Sequence, residues 1–334
     1  MKIVVRTPNW IGDVLMSFPA IESLARGLPE AEIWIAAHPW VKDLFVGTDY
    51  ADRILPIRPP KNLRDLGRTA AILRSGRFDA GLLLTNSFAS ALLFRRANIP
   101  ERWGYRRDGR GPLLTKGVIP KDGGRSVHMV RTYLELIQGL GLPLRPAEIR
   151  LVAAPDEKER SRIILEQAGA DLSRPLVFLH AGASFGPAKR WPAERFAALG
   201  RILMERKKAG LVLTGSAEDA PVAEAIASRL PRPPANLVGR TTLRELVGAV
   251  SQAVLFVTND TGPMHLANAL RVPVMAVFGP TDPAVTAPFH PPAVVLKKDA
   301  VCWPCLYREC PYDHRCMTGV GAEEAAAAAA EYLP

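Results

Sequence analysis

Short runs of β-branched and apolar residues alternate along this chain with longer stretches in which apolar positions recur every three or four residues. The first run, Ile3-Val4-Val5-Arg6, leads through a polar loop (Thr7 to Asp13) into a helix from Val14 to Arg26, whose apolar positions are Val14, Leu15, Phe18, Ile21, Leu24 and Ala25. Glu32–Ala37 reads as the next strand, Trp40–Phe45 as a short helix, Arg53–Ile57 as a third strand and Leu63–Ser75 as a helix. Ala80–Leu84 then enters the turn Thr85-Asn86-Ser87-Phe88, followed by a helix over Ala89–Ala97, a basic stretch and an amphipathic helix over His128–Leu140. Past the Pro-rich boundary Pro143–Pro155 the plan repeats. Helix Asp156–Gly169 precedes strand Pro175–His180, helix Ala193–Lys208, strand Leu211–Thr214, and helices Ala220–Leu230 and Thr242–Ser251. Strands Ala253–Val257 and Val274–Phe278 follow, and an Ala-rich helix over Glu323–Leu333 ends the chain. Strands and helices in this alternation predict an α/β protein of two doubly wound, Rossmann-like domains, residues 1–150 and 151–320, with a terminal helix over 321–334. Such domains bind ligands at the carboxyl ends of their strands, here where the two are expected to face each other across a cleft.

A chain of 334 residues, 48% hydrophobic, is long enough for two cores. No apolar run approaches 18 residues, and charge interrupts the N-terminal strand, so neither a membrane span nor a signal peptide is expected and the protein is read as cytoplasmic. The net charge of +10 is one-sided: residues 1–150 hold 23 Lys/Arg against 14 Asp/Glu, and the remainder 20 against 19. The excess is densest from Arg95 to Arg125, through Arg96, Arg102, Arg106, Arg107, Arg110, Lys116 and Lys121. A solvated face explains many such runs. One-sided charge also suits a half that meets a polyanion, and without nucleic-acid recognition motifs a phosphorylated glycolipid at a membrane surface ranks above nucleic acid.

Four loops at predicted strand ends carry candidate chemistry. Gly12-Asp13 opens a helix, where Asp13 is either an N-cap or a general base with Gly12 giving a substrate room. The loop from His180 to Pro192 contains Gly182, Ser184 and Gly186 followed by Lys189-Arg190, small residues and cations that suit a diphosphate. It is not a P-loop, and no G-x-G-x-x-G follows a strand. Thr214–Asp219 offers Glu218 and Asp219 as caps or as acceptors for a ribose diol. Thr258-Asn259-Asp260-Thr261-Gly262-Pro263-Met264-His265 joins a strand to a helix. Asp260 or Thr261 can cap that helix, its positive end suits phosphate, and His265 lies one turn along.

Cys302, Cys305, Cys310 and Cys316 are the only cysteines and fall within 15 residues, with His314 between the last two. The spacing admits a structural zinc or iron–sulfur site, free thiols in a surface loop, or two disulfides.

Gly12-Asp13, Asn86-Ser87-Phe88, Phe185–Pro192, Gly215-Ser216-Ala217 and Thr258–His265 together resemble the ADP-heptose:lipopolysaccharide heptosyltransferases of glycosyltransferase family 9, the type II branch more than type I. The motifs run in family order across residues 3–290. The resemblance implies the GT-B fold and inverting, metal-independent transfer of heptose from ADP-heptose to the lipopolysaccharide inner core. It implies Asp13 as catalytic base, Lys189 on the donor phosphates with Arg190 beside it, and Asp260, Thr261, Gly262 and His265 in the donor loop. To these the pattern of small residues and cations between His180 and Pro192 adds Ser184. The ribose carboxylate is Glu218 or Asp219. Gly12, Asn86, Ser87, Arg106 and Arg107 would meet an anionic acceptor at the inner face of the cytoplasmic membrane. No cofactor is required, and the cysteine segment lies outside the motifs. The rival expectations are heptosyltransferase I or a later core enzyme, a sugar-nucleotide 2-epimerase of similar fold, and a nucleotide-sensing protein without turnover.

Overall fold

The computed structural model describes residues 1–121 and 127–333, so the end of the basic stretch at Arg125 and the terminal Pro334 lie outside the described residues. The chain forms two compact units, Met1–Ile149 and Arg150–Pro334.

In the first unit the order is β1 (Lys2–Arg6), α1 (Ile11–Gly27), β2 (Glu32–Ala37), β3 (Ile54–Pro56), α2 (Leu63–Ser75), β4 (Ala80–Leu83), α3 (Phe88–Arg96), β5 (Glu101–Tyr105), β6 (Lys116–Val118) and α4 (Met129–Gly139). The six strands form one parallel sheet in the order β3-β2-β1-β4-β5-β6. Val4, Ile35, Leu82 and Leu83 are wholly buried, as the central strands of a sheet covered on both faces must be.

The second unit runs α5 (Pro155–Gln167), β7 (Leu176–His180), α6 (Ala193–Arg206), β8 (Gly210–Thr214), α7 (Ala220–Ala227), β9 (Ala235–Asn236), α8 (Leu243–Val250) and β10 (Leu255–Asn259). It continues through α9 (Gly262–Ala269), β11 (Val274–Phe278), α10 (Pro283–Thr286), β12 (Ala293–Lys297), α11 (Arg315–Thr318) and α12 (Ala322–Ala329). Its sheet, β12-β11-β10-β7-β8-β9, is also parallel and repeats the winding of the first. The order reverses beside β1 and β4 in one unit and beside β7 and β10 in the other. Loops leaving those four strands therefore flank the switch points where doubly wound sheets take ligands.

Three features depart from the expectation. The basic stretch is not one solvated face: it contains β5 and β6, and Arg110 is wholly buried within it. Arg102 turns inward too, donating to the carbonyls of Leu113 (2.7 Å), Ile99 (2.7 Å) and Pro100 (2.8 Å). Strands β9 and β12, the outer members of the second sheet, have no counterpart among the predicted elements. The Ala-rich terminal helix joins the core of its unit, burying Ala325 and Ala329 against the α6 side. No helix among the described residues is long and apolar enough to cross a membrane.

Candidate active site

In the first unit Trp10, in extended conformation, is the N-cap of α1 and contributes no side-chain capping bond. Asp13 is therefore not the cap. It stands half-buried in the first helical turn, next to buried Gly12, and is the only acidic residue there. Helix α4 packs against α1 and brings buried Tyr133 near it. Burial holds the Tyr133 phenol well above its ordinary range, and the Asp13 carboxylate adds to that, so the phenol stays protonated. Beneath the loop after β1, buried Arg6 donates to the carbonyls of Thr7 (2.8 Å) and Ala36 (3.1 Å) and to Asn9 Oδ1 (2.7 Å). Trp40 Nε1 donates to the Asn9 carbonyl (2.7 Å) and fixes its indole edge-on to Trp10, ring centroids 5.3 Å apart.

The loop after β4 is held from below by Arg110. Its guanidinium donates to the carbonyl of Tyr105 (2.8 Å), to Asn86 Oδ1 (3.2 Å) and to the Thr85 carbonyl. Burial lowers the pKa of Arg110 to about 10, which still leaves it charged at neutral pH. Ser87 caps α3 by accepting from the Ser90 amide (3.3 Å), which gives the turn a fixed exit. Arg106 is exposed and Arg107 half-buried, its guanidinium carbon 6.0 Å from the Tyr105 ring centroid. Gly12 and Asp13, in the first turn of α1 after the β1 loop, and Asn86 and Ser87, in the loop after β4, thus flank the switch point, while Arg106 and Arg107 follow the neighbouring strand β5.

In the second unit the loops after β7 and β10 are tied by Asn259, which is wholly buried. Its Nδ2 donates to the carbonyls of Ala181 (2.8 Å) and Gly182 (3.2 Å), and its Oδ1 accepts from the Trp191 amide (2.9 Å). Trp191, also wholly buried, donates from Nε1 to the Val320 carbonyl (3.1 Å). This anchoring presents Lys189 to Asp260, with which it forms a nearly buried ion pair. Asp260 also accepts from Thr281 Oγ1 (2.6 Å) and Thr286 Oγ1 (3.4 Å). Asp260 is thus not the cap that its place in the turn suggests; it is the acceptor for Lys189 and two threonines. Thr261 is the N-cap of α9 by position, yet its side chain makes no capping bond. Gly262 opens that helix and His265 is buried within it. Ser184 is exposed on the β7 loop.

The two ribose candidates separate. Asp219 is buried, accepts from the Ser216 amide (2.9 Å) and hydroxyl (2.8 Å), and lies 3.6 Å from the Arg190 guanidinium. A Cβ on Gly182 would come within 2.5 Å of its carboxylate, so only glycine admits this contact. Glu218 is exposed. His180, at the end of β7, is stacked on Phe256 and lies 3.2 Å from Thr214 Oγ1. Burial lowers its pKa to about 4, opposed in part by Asp219, and the ring is neutral at pH 7.

Cys302, Cys305, Cys310 and Cys316 are free thiols lining one cavity of about 400 Å³ together with His314 and Arg315. Burial and the other three cysteines hold the Cys316 thiol above its ordinary range. Among the described residues no three His, Cys, Asp or Glu side chains are gathered as ligands for an ion, so the zinc or iron–sulfur expectation gains no support.

Sequence reasoning missed Arg110, Asn259, Thr281 and Thr286. The first reads as surface charge, and the others act through partners distant in sequence.

The model of glycosyltransferase family 9 (heptosyltransferase) matches residues 66–315. The lipopolysaccharide heptosyltransferase 2 of Salmonella typhimurium is 33% identical over 314 residues, covering 89% of this chain and 88% of that protein. The structure of Escherichia coli ADP-heptose lipopolysaccharide heptosyltransferase II superposes with a TM-score of 0.84 at 29% identity, over 100% of this chain and 98% of that one. A family 9 glycosyltransferase from Veillonella parvula gives a TM-score of 0.88 at 21% identity over 99% and 97% of the two chains, a likeness of fold. The two doubly wound sheets are those of the GT-B fold. Across about three quarters of its length by the family model, and nearly nine tenths by its relatives, this chain belongs to glycosyltransferase family 9, the heptosyltransferases.

Proposed function

We propose that this enzyme transfers L-glycero-D-manno-heptose from ADP-heptose, with inversion, to the heptosylated Kdo2-lipid A inner core of lipopolysaccharide. The observation that carries the reading is the pairing of like loops with unlike chemistry. At its switch point the first unit has a carboxylate, Asp13, and neutral polar groups. At the corresponding switch point the second has Lys189, Asp260 and the positive end of α9. One suits a sugar hydroxyl, the other a leaving diphosphate.

In this mechanism an acceptor hydroxyl attacks the anomeric carbon while Asp13 takes its proton. The new C–O bond forms as the bond from the anomeric carbon to the β-phosphate oxygen breaks. ADP departs against Lys189, Arg190 and the Thr261-Gly262 end of α9, with Ser184 beside the phosphates and His265 supporting the loop from within the helix. Asp260 orients Lys189. Asp219 is committed to the Ser216 turn and Arg190, so we assign the ribose diol to Glu218. Every step falls to groups of this chain.

The acceptor half is residues 1–150, with Gly12, Asn86, Ser87, Arg106 and Arg107 around the acceptor sugar. Its surplus of nine positive charges suits the anionic Kdo and lipid A groups. The chain would accordingly work as a peripheral protein on the cytoplasmic face of the inner membrane. ADP release that requires both ADP-heptose and the heptosylated acceptor supports this reading. Donor binding with no turnover on that acceptor sinks the assigned acceptor, and failure to bind any ADP-sugar sinks the reaction.

A further inference from the structure

The two cations that the donor loop supplies are each already paired with a carboxylate: Lys189 with Asp260, and Arg190 with Asp219 at 3.6 Å. A diphosphate meeting these pairs alone meets no surplus positive charge. The cation that restores one comes from the segment that the family motifs leave out. Between β12 and α11 the cysteine-rich segment crosses the donor loops as a strap. The carbonyl of Arg308 accepts from the Ala188 amide (3.0 Å), and His314 Nε2 lies 2.7 Å from the Ala188 carbonyl. Both backbone groups of the residue before Lys189 are thereby held. The Leu306 amide donates to the Pro280 carbonyl (3.0 Å) and Trp303 Nε1 to the Thr281 carbonyl (3.1 Å), and Thr281 in turn holds Asp260. Gly186 has φ 151° and passes so close that a Cβ there would overlap the Arg308 carbonyl oxygen.

This docking puts the Arg308 guanidinium carbon 5.4 Å from the centre of the Phe185 ring, whose other cation neighbour is Lys189 Nζ at 4.8 Å. Arg308 is exposed and has no carboxylate partner among the described residues. A guanidinium steered by an aromatic ring, with its charge unspent, suits bidentate contact with phosphate oxygens. We infer that Arg308 is a further donor-binding residue, supplying the unpaired positive charge for the nucleoside diphosphate, and that the cysteine-rich strap serves to deliver it. The inference rests on the donor site proposed above.

The test is calorimetric titration of ADP, UDP and adenosine into the full chain and into Arg308→Ala and Arg308→Lys. Arg308→Ala keeps the backbone carbonyl that holds Ala188, so it removes the charge without removing the strap. ADP affinity is expected to fall about 10- to 100-fold, the range of one charge-assisted hydrogen-bonding group. Arg308→Lys should lie between, and adenosine binding should be unchanged. Unchanged ADP affinity overturns the inference, as does an equal loss for ADP and adenosine, which marks a merely structural effect. If the wild type prefers UDP to ADP and still loses affinity in Arg308→Ala, Arg308 stands and the ADP-sugar reading falls. If the wild type binds neither nucleotide, both fall.

Discussion

Replacing Asn259 with alanine tests how the second unit links stability to the loop that carries Lys189, the proposed donor contact. The side chain is wholly buried and makes three hydrogen bonds, two to carbonyls of the β7 loop and one from the Trp191 amide. Alanine strands one amide and two carbonyls away from water. A buried polar group left unsatisfied costs about 1–3 kcal/mol, so relaxation of the loop around three such groups leaves a loss of about 3 kcal/mol. For a unit of this size that is a fall of roughly 6–12 °C in its Tm. Because the same bonds hold the loop that carries Lys189, ADP affinity should fall as well, about tenfold. Asn259→Asp is a harsher variant: it turns a carboxylate toward the Ala181 and Gly182 carbonyls and loses both donors. Differential scanning calorimetry with and without ADP reads both effects. A Tm within about 2 °C of wild type, with ADP affinity unchanged, would refute the claim that this amide joins the two loops.

Two further outcomes follow from buried ionisable groups. Arg110→Lys cannot reproduce the fork to Tyr105, Thr85 and Asn86, so it should cost about 2–3 kcal/mol in urea unfolding and raise the acceptor KM while the donor KM holds. His180 has its pKa lowered from 6.5 to about 4, so below pH 6.5 the unfolded chain binds a proton that the folded chain refuses. Its contribution to stability is present above pH 6.5 and drains away as pH falls toward 4, by up to about 1.4 kcal/mol per pH unit. A Tm profile from pH 7.5 to 4.5 should therefore be steeper in the wild type than in His180→Asn, and parallel profiles would contradict it.

The central strands of both sheets are legible in the sequence because burial on both faces leaves uninterrupted apolar runs such as Leu255–Val257 and Val274–Phe278. Their carboxyl-end loops are legible for the same reason, since a polar turn after such a run marks a ligand edge. What stays hidden depends on register and distance. Asn259 reaches Ala181 because Thr258 pairs with His180 across the sheet, which no local pattern in either strand reveals. Lys189 and Asp260 are 71 residues apart, so each reads as a free phosphate contact and not as half of an ion pair. Arg110 and Arg102 read as surface charge, although backbone carbonyls hold them inside. Lys116–Val118 is too short and too polar to announce a strand, and it exists because β5 lies beside it. Between Glu218 and Asp219 the sequence offers no choice, because the Ser216 turn that engages Asp219 and leaves Glu218 exposed does not show in the local pattern; our assignment of the ribose to Glu218 is a proposal built on that difference.

The central claim is that Asp13 is the base in heptosyl transfer from ADP-heptose. It is tested most directly by following ADP release with the heptosylated Kdo2-lipid A acceptor, in the wild type and in Asp13→Asn, alongside donor affinity measured by titration. Loss of one general base predicts a fall in kcat of about 10²- to 10⁴-fold with the donor Kd unchanged. An Asp13→Asn enzyme that turns over within a few-fold of wild type would contradict it.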